Sequence, residues 1–204
     1  MKDFFIIKSM IIIFIIVLIS ACCPYANNQT TLRGNGELTS QEKILTAFDN
    51  VVLSGVGTAN IHFSDEFKIV VNTDSNIQEF ISLNINENTL NISQNSNINL
   101  NYTRLVYDIY LPEIKSITTR GAGNINIDSG NATDLEIHIS GVGNVNTLNY
   151  EVENVYIVLS GVGNARVWAT YSIHGRLSGV GDIMYKGNPS NRILISGIGT
   201  VKQI

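Results

Sequence analysis

Glu136, Tyr156, His174 and Arg192 each stand five residues before a glycine in a repeated pattern, and His138 and Arg176 stand three residues before theirs. A carboxylate, a phenol, two imidazoles and two guanidiniums are groups from which a sugar-contact or polysaccharide-cleaving face can be built. General acid–base work needs a positioned proton donor and acceptor, and this set holds a single carboxylate. Its simpler reading is a solvated strand face with ordinary cross-strand pairs. A weak glycan-contact surface is the most that the residue types support. Trp168, the sole tryptophan, either stacks on a sugar or covers a core edge beside Leu148.

Other chemistries fit less well. Gly161-Val162-Gly163 lacks the third glycine of a dinucleotide loop, with Arg166 in its place, and runs into a β-type sequence where a helix is required. A calcium-binding β-roll needs repeated acidic turns, yet Asp182 is the one acidic residue directly after a glycine pair. The two cysteines, Cys22 and Cys23, leave the remaining chain without thiols for a disulfide or a Cys-based metal site. No cofactor and no metal site is expected.

These residues are positioned by a repeat. "LSGVGT" (53–58), "RGAGN" (120–124), "ISGVGN" (139–144), "LSGVGN" (159–164), "LSGVGD" (177–182) and "ISGIGT" (195–200) are near-copies. Their glycine pairs are Gly55/Gly57, Gly121/Gly123, Gly141/Gly143, Gly161/Gly163, Gly179/Gly181 and Gly197/Gly199. They hold 12 of the chain's 17 glycines, so glycine here is structural punctuation. From Gly121 onward the first glycines are spaced by 20, 20, 18 and 18 residues. A fixed period of this length marks a solenoid whose units bury their apolar faces on one another.

Alignment on the glycines gives the element type. Two residues before the first glycine stand Leu53, Ile139, Leu159, Leu177 and Ile195; two after the second stand Ala59, Ile125, Val145, Ala165, Ile183 and Val201. Alternation with β-branched residues predicts half-buried strands. The expected fold is all-β: a single-domain parallel β-helix with coils of about 18–20 residues. Each Gly-x-Gly is expected to be a corner where the backbone visits φ > 0. The middle residue (Val56, Ala122, Val142, Val162, Val180, Ile198) is expected to point into the core. Ser54, Ser140, Ser160, Ser178 and Ser196, before five of the pairs, are expected to form one ladder, and Asn124, Asn144, Asn164 and Asp182, after four of them, another. Residues 61–112 depart from the repeat and read as partly antiparallel strands, with a hairpin turn at Glu87-Asn88 and helical turns within 75–81.

Residues 1–21 read as a signal segment, in which Lys2 and Lys8 flank an apolar run over 10–19. That run is shorter than the roughly 20 apolar residues of a membrane-spanning helix. Ile19-Ser20-Ala21-Cys22 resembles a bacterial lipobox, which implies cleavage before Cys22 and acylation of that residue. Residue 23 is not aspartate, which by enterobacterial sorting favours the outer membrane. Residues 22–43, rich in Asn, Thr and Gly, read as a flexible tether, and 44–204 as one domain. The net charge of −4 becomes −5 once Lys2, Lys8 and Asp3 are removed. Such a chain is not expected to bind nucleic acid.

"VVLSGVGTANIHF", "YDIYLPEIKSITTRGAGNINI" and the later "SGVGN" repeats resemble the bacterial GIN-domain family of autotransporter-adhesin heads. The resemblance covers residue 48 to the last residue. It implies an exported β-helix-like fold in the cell envelope and supplies no active residues. The expected function is therefore a lipid-anchored, non-catalytic adhesin-like or structural module. Its expected partners are a membrane, through the anchor, and a glycan or surface protein. The alternative is a carbohydrate-active β-helix enzyme of the lyase or esterase type. Few polar residues protect the 193–204 edge, so weak self-association is also expected.

Overall fold

The computed structural model describes residues 30–94 and 98–204. The expected signal segment, the expected lipidation site at Cys22 and residues 22–29 of the expected tether lie outside them. Seventeen strands follow in order: β1 (Thr30–Arg33), β2 (Leu38–Ile44), β3 (Asn50–Leu53), β4 (Val56–Phe63), β5 (Lys68–Asp74), β6 (Ile81–Asn86), β7 (Thr89–Gln94), β8 (Ile98–Asn101) and β9 (Leu105–Leu111). Then come β10 (Ser116–Thr119), β11 (Ala122–Ile127), β12 (Gly130–Ile139), β13 (Val145–Leu159), β14 (Ala165–Leu177), β15 (Ile183–Lys186), β16 (Ser190–Ile195) and β17 (Val201–Gln203). One 3-10 turn (Gln78–Phe80) is the helical piece within 75–81.

The fold is all-β, as expected. Fifteen strands form one sheet, mixed in direction and open at its ends, and β1 pairs with β8 apart from it. Antiparallel pairs β2–β5, β5–β9 and β6–β7 lie in the N-terminal part. Because β2 and β6 terminate the strand path, the order does not close on itself. The β6–β7 hairpin turns at Glu87 (φ 47°) and Asn88 (φ 58°), the two positive-φ residues that a two-residue turn matched to strand twist requires.

The expected tether is shorter than 22–43. Residues 38–44 pair antiparallel with Lys68–Asp74, so the chain is ordered into a sheet well before residue 44. Asp74, fully buried, accepts the amide N–H of Gly36 at 2.8 Å and of Thr103 at 2.7 Å, which secures this segment. Polar composition alone suggested a coil; the backbone bonds of an edge strand require no apolar side chains.

The repeat itself pairs in parallel. Ile117, Ile137 and Ile157 are in register at 20-residue offsets, and Leu159 meets Leu177 at 18. Leu53, Ile139, Leu159 and Leu177 are buried, as are Ala59, Ile125, Val145, Ala165 and Ile183. Each buried Leu or Ile contributes about 1.5–3 kcal/mol of transfer free energy. The asparagine ladder is present: Asn144 N–H donates to Asn124 Oδ1 (3.0 Å), Asn164 N–H to Asn144 Oδ1 (3.0 Å) and Asp182 N–H to Asn164 Oδ1 (2.9 Å).

One expectation about the corners is overturned and another is made specific. Val142, Val162, Val180 and Ile198 point outward, 57, 50, 44 and 73 % exposed. The alternation runs through the corner without a break: Leu159, Gly161, Gly163 and Ala165 share one side, and Ser160, Val162 and Asn164 the other. Positive φ belongs to the second glycine (Gly57, Gly143, Gly163, Gly181, Gly199) and not to the first. The first glycine answers to close approach. A Cβ on Gly141, Gly161, Gly179 or Gly197 would collide with the carbonyl oxygen of the first glycine one repeat earlier.

Gly123 departs from the expected corner altogether. Although it is the second glycine of its pair, it lacks the positive φ of its counterparts. It lies inside strand β11, buried, and pairs in parallel with Gly57 of β4. What requires glycine there is space: a Cβ would overlap the Gly57 carbonyl oxygen and come within 2.6 Å of Leu53 Cδ2. Gly123 is a packing glycine within a strand.

At the N-terminal end of this corner stack a side chain stands in for a missing strand. Gln94 Oε1 accepts Val56 N–H at 2.8 Å, and its Nε2 donates to Val56 O at 3.0 Å and to the Tyr107 hydroxyl at 2.8 Å.

Candidate functional site

The register brings the expected polar column together. Glu136 lies beside Tyr156, Tyr156 beside His174, and His174 beside Arg192; His138 and Arg176 flank Val158 in the neighbouring row. The Tyr156 and His174 rings are tilted with centroids 5.1 Å apart, and His138 meets Tyr156 edge-on at 5.9 Å. His138 Nε2 is 3.6 Å from Glu136 Oε2. Glu136, Arg176 and Arg192 are exposed, and neither arginine has an ion-pair partner among the described residues. These are cross-strand contacts on a wet sheet face, with no second carboxylate in the column.

Trp168 stands elsewhere. It pairs with Glu151 and Lys186, and the Lys186 ammonium lies over the indole at 3.5 Å from its centre. That cation–π contact occupies one face of the ring.

A larger feature escaped the sequence reading. An open groove of about 1050 Å³ is bordered by Glu113, Asp134, Glu136, Glu151 and Glu153, with Lys115 as its one cation. Its floor is the stacked pair Phe63 and Tyr150, with centroids 4.9 Å apart and planes 15° from parallel. Gly130 also lines it, and even a methyl there would press on both rings at 3.1 Å.

The strand register explains how Tyr150 arrives. Thr147 pairs with Val167, an offset of 20, while Glu151 pairs with Trp168, an offset of 17, before the offset settles at 18 from Asn154 and Ser172 onward. Residues 148–150 therefore have no partners in β14, while against β12 the offset stays at 20 and Tyr150, 1 % exposed, pairs with Gly130. Burial, with the Glu113 charge adding to it, pushes the Tyr150 phenol up to about 12. The sequence did hold one signal: Glu151 and Glu153 flank the buried Val152, so alternation sends both carboxylates outward together.

The family of putative auto-transporter adhesins, head GIN domain, matches residues 47–129 and 121–189. The chain belongs to that family. The GIN domain's fold is shared with the crystal structure of a putative adhesin from Bacteroides fragilis, at a TM-score of 0.62 and 22% identity over 85% of this chain and 100% of that one. A putative lipid binding protein from Parabacteroides distasonis is similar at a TM-score of 0.44 and 18% identity, covering 86% of this chain and 100% of that one. A putative cell adhesion protein from Clostridium sporogenes is similar at 0.43 and 17%, covering 82% and 99%. No curated protein matches this GIN-domain chain.

Proposed function

We propose that this GIN domain is the body of a lipid-anchored cell-envelope protein and acts as a non-catalytic, adhesin-like or structural binding module. Membership of an adhesin-head family carries this reading. In it, acylated Cys22 holds the chain at the outer membrane, and the repeats over 116–204 wind as parallel β-helix coils beside the antiparallel N-terminal part. The column of Glu136, His138, Tyr156, His174, Arg176 and Arg192 offers hydrogen-bonding groups to a glycan or a surface protein. The reading is tested with the purified full chain on an array of glycans and host-matrix proteins. Saturable binding to one class, weakened by His174→Ala with Arg192→Ala, supports it; an array with no binding at all sinks it.

The carboxylate groove favours a second reading, a carbohydrate-active enzyme. Retaining and inverting glycosidases use two carboxyl groups, one kept protonated by a dry setting. Glu113, Asp134, Glu136 and Glu151 are exposed at the rim, which supplies no dry setting. Release of reducing ends from a polysaccharide panel, abolished by Glu151→Gln, would reverse the preference.

A further inference from the structure

We propose that the groove over Phe63, Gly130 and Tyr150 is a binding site for an extended ligand carrying several primary ammonium groups. This rests on the binding-module reading and names a ligand class for one face of it.

The charge balance points to a cation. Five carboxylates border the groove against the single ammonium of Lys115, which is already engaged by Asp49 at 2.8 Å and Glu113 at 3.1 Å. Asp134 accepts one hydrogen bond, from Asn154 Nδ2 at 3.2 Å. Glu151 and Glu153 have neither an ion-pair nor a hydrogen-bond partner among the described residues. Like charges gathered in one concavity raise the local concentration of counter-ions.

The second observation is Tyr150. Its side chain is almost wholly buried and lines the groove, yet its hydroxyl has no hydrogen-bond partner among the described residues. The Tyr150 side chain borders the groove itself, beside Gly130 and Glu151. Buried polar groups are normally paired. An ammonium group supplies what is missing, because it donates to the phenol oxygen and to carboxylates at once. Half-buried Phe63, stacked on Tyr150, gives the methylenes between amines an apolar surface to lie on.

Distribution of the charges separates this ligand from a metal ion. Among the described residues no three His, Cys, Asp or Glu side chains converge closely enough to hold one. The carboxylates come from three stretches, at 113, 134–136 and 151–153, spread along a groove of about 1050 Å³. Spread anions match spread cations. A polyamine and a lysine-rich peptide share this chemistry.

The test is calorimetric titration of the detergent-purified full chain with spermine and, separately, with tetralysine. Saturable binding of either probe, weakening as sodium chloride screens the charges, is expected; which probe binds more tightly tells a small polyamine from a peptide source. Glu151→Gln with Glu153→Gln should weaken binding on the order of tenfold, and Tyr150→Phe should weaken it several-fold with an unchanged melting temperature. Asp65→Asn with Glu79→Gln, an equal charge removal at exposed sites outside the groove, should leave it intact. The proposal is overturned if neither probe binds, or if the control pair weakens binding as much as the groove pair. Array binding that persists without polycation binding would sink this proposal and leave the module reading standing.

Discussion

Gly161 lies so close beneath Gly141 that a Cβ on it would overlap the Gly141 carbonyl oxygen. The same oxygen accepts the amide N–H of Val162 at 2.9 Å, so the close approach and the corner hydrogen bond are one feature. Gly161→Ala must push two repeats apart at this bond, and overpacking of that kind costs about 1–3 kcal/mol. Val162→Ala, at the exposed position next to it, should stay within about 0.5 kcal/mol. Chemical denaturation of both variants checks this; equal midpoint shifts would contradict the stacked geometry.

Gln94 satisfies both backbone groups of Val56 and the Tyr107 hydroxyl. Gln94→Ala leaves the half-buried Val56 N–H without its acceptor, at about 1–3 kcal/mol, while the Tyr107 hydroxyl still donates to Val56 O at 3.3 Å. Gln94→Glu keeps the acceptor for Val56 N–H and loses the donor, so its loss should be intermediate. A stability order of wild type, Glu, then Ala is the expected result.

Asp74 governs part of the acid response. Burial pushes its carboxyl up, but the Thr103 amide and hydroxyl and the Gly36 amide outweigh this and hold it below the ordinary carboxylate range. A lowered folded-state pKa means that the unfolded chain takes up the proton first. Asp74 therefore stabilises the fold above the ordinary carboxylate range, and that contribution fades as pH falls through its folded pKa. Asp74→Asn should be less stable at neutral pH, with a flatter loss of stability on acidification. Urea midpoints measured across acidic pH will show whether the two curves converge.

Strands β16 and β17 each have one pairing partner, and Leu194, Ile195, Ile198 and Ile204 are exposed along this edge. Edges of this kind recruit other strands. The purified chain should show a scattering mass that rises weakly with concentration, and Leu194→Lys with Ile198→Lys should remove the rise. Concentration-independent monomer for the wild type would count against association here.

Cys22 carries the anchor assignment. Cys22→Ser should move the protein from the membrane fraction to the soluble one, and metabolic labelling with a fatty-acid probe should disappear with it. Unchanged membrane retention would remove the lipidated reading.

Much of the body could be read from its residues, because alternation is local. Leu53, Ile139, Leu159 and Leu177 declared the buried face, Glu87-Asn88 the hairpin, and the asparagines after each glycine pair their ladder. Even the outward valines were legible, since parity places Val162 beside Ser160 and Asn164; its apolar character suggested the core instead. Gly123 reads like every other second glycine, and only its pairing with Gly57 inside a continuous strand removes it from the corners. Tertiary structure alone decided which distant segments share a surface. Gln94 reaches Val56 across 38 residues of sequence, and Glu113, Asp134 and Glu151 border one groove because β12 stacks on β13 with Gly130 beside Tyr150. Residue spacing sets the direction of each side chain. Which strands lie side by side, and what groove opens between them, depends on how the repeats stack.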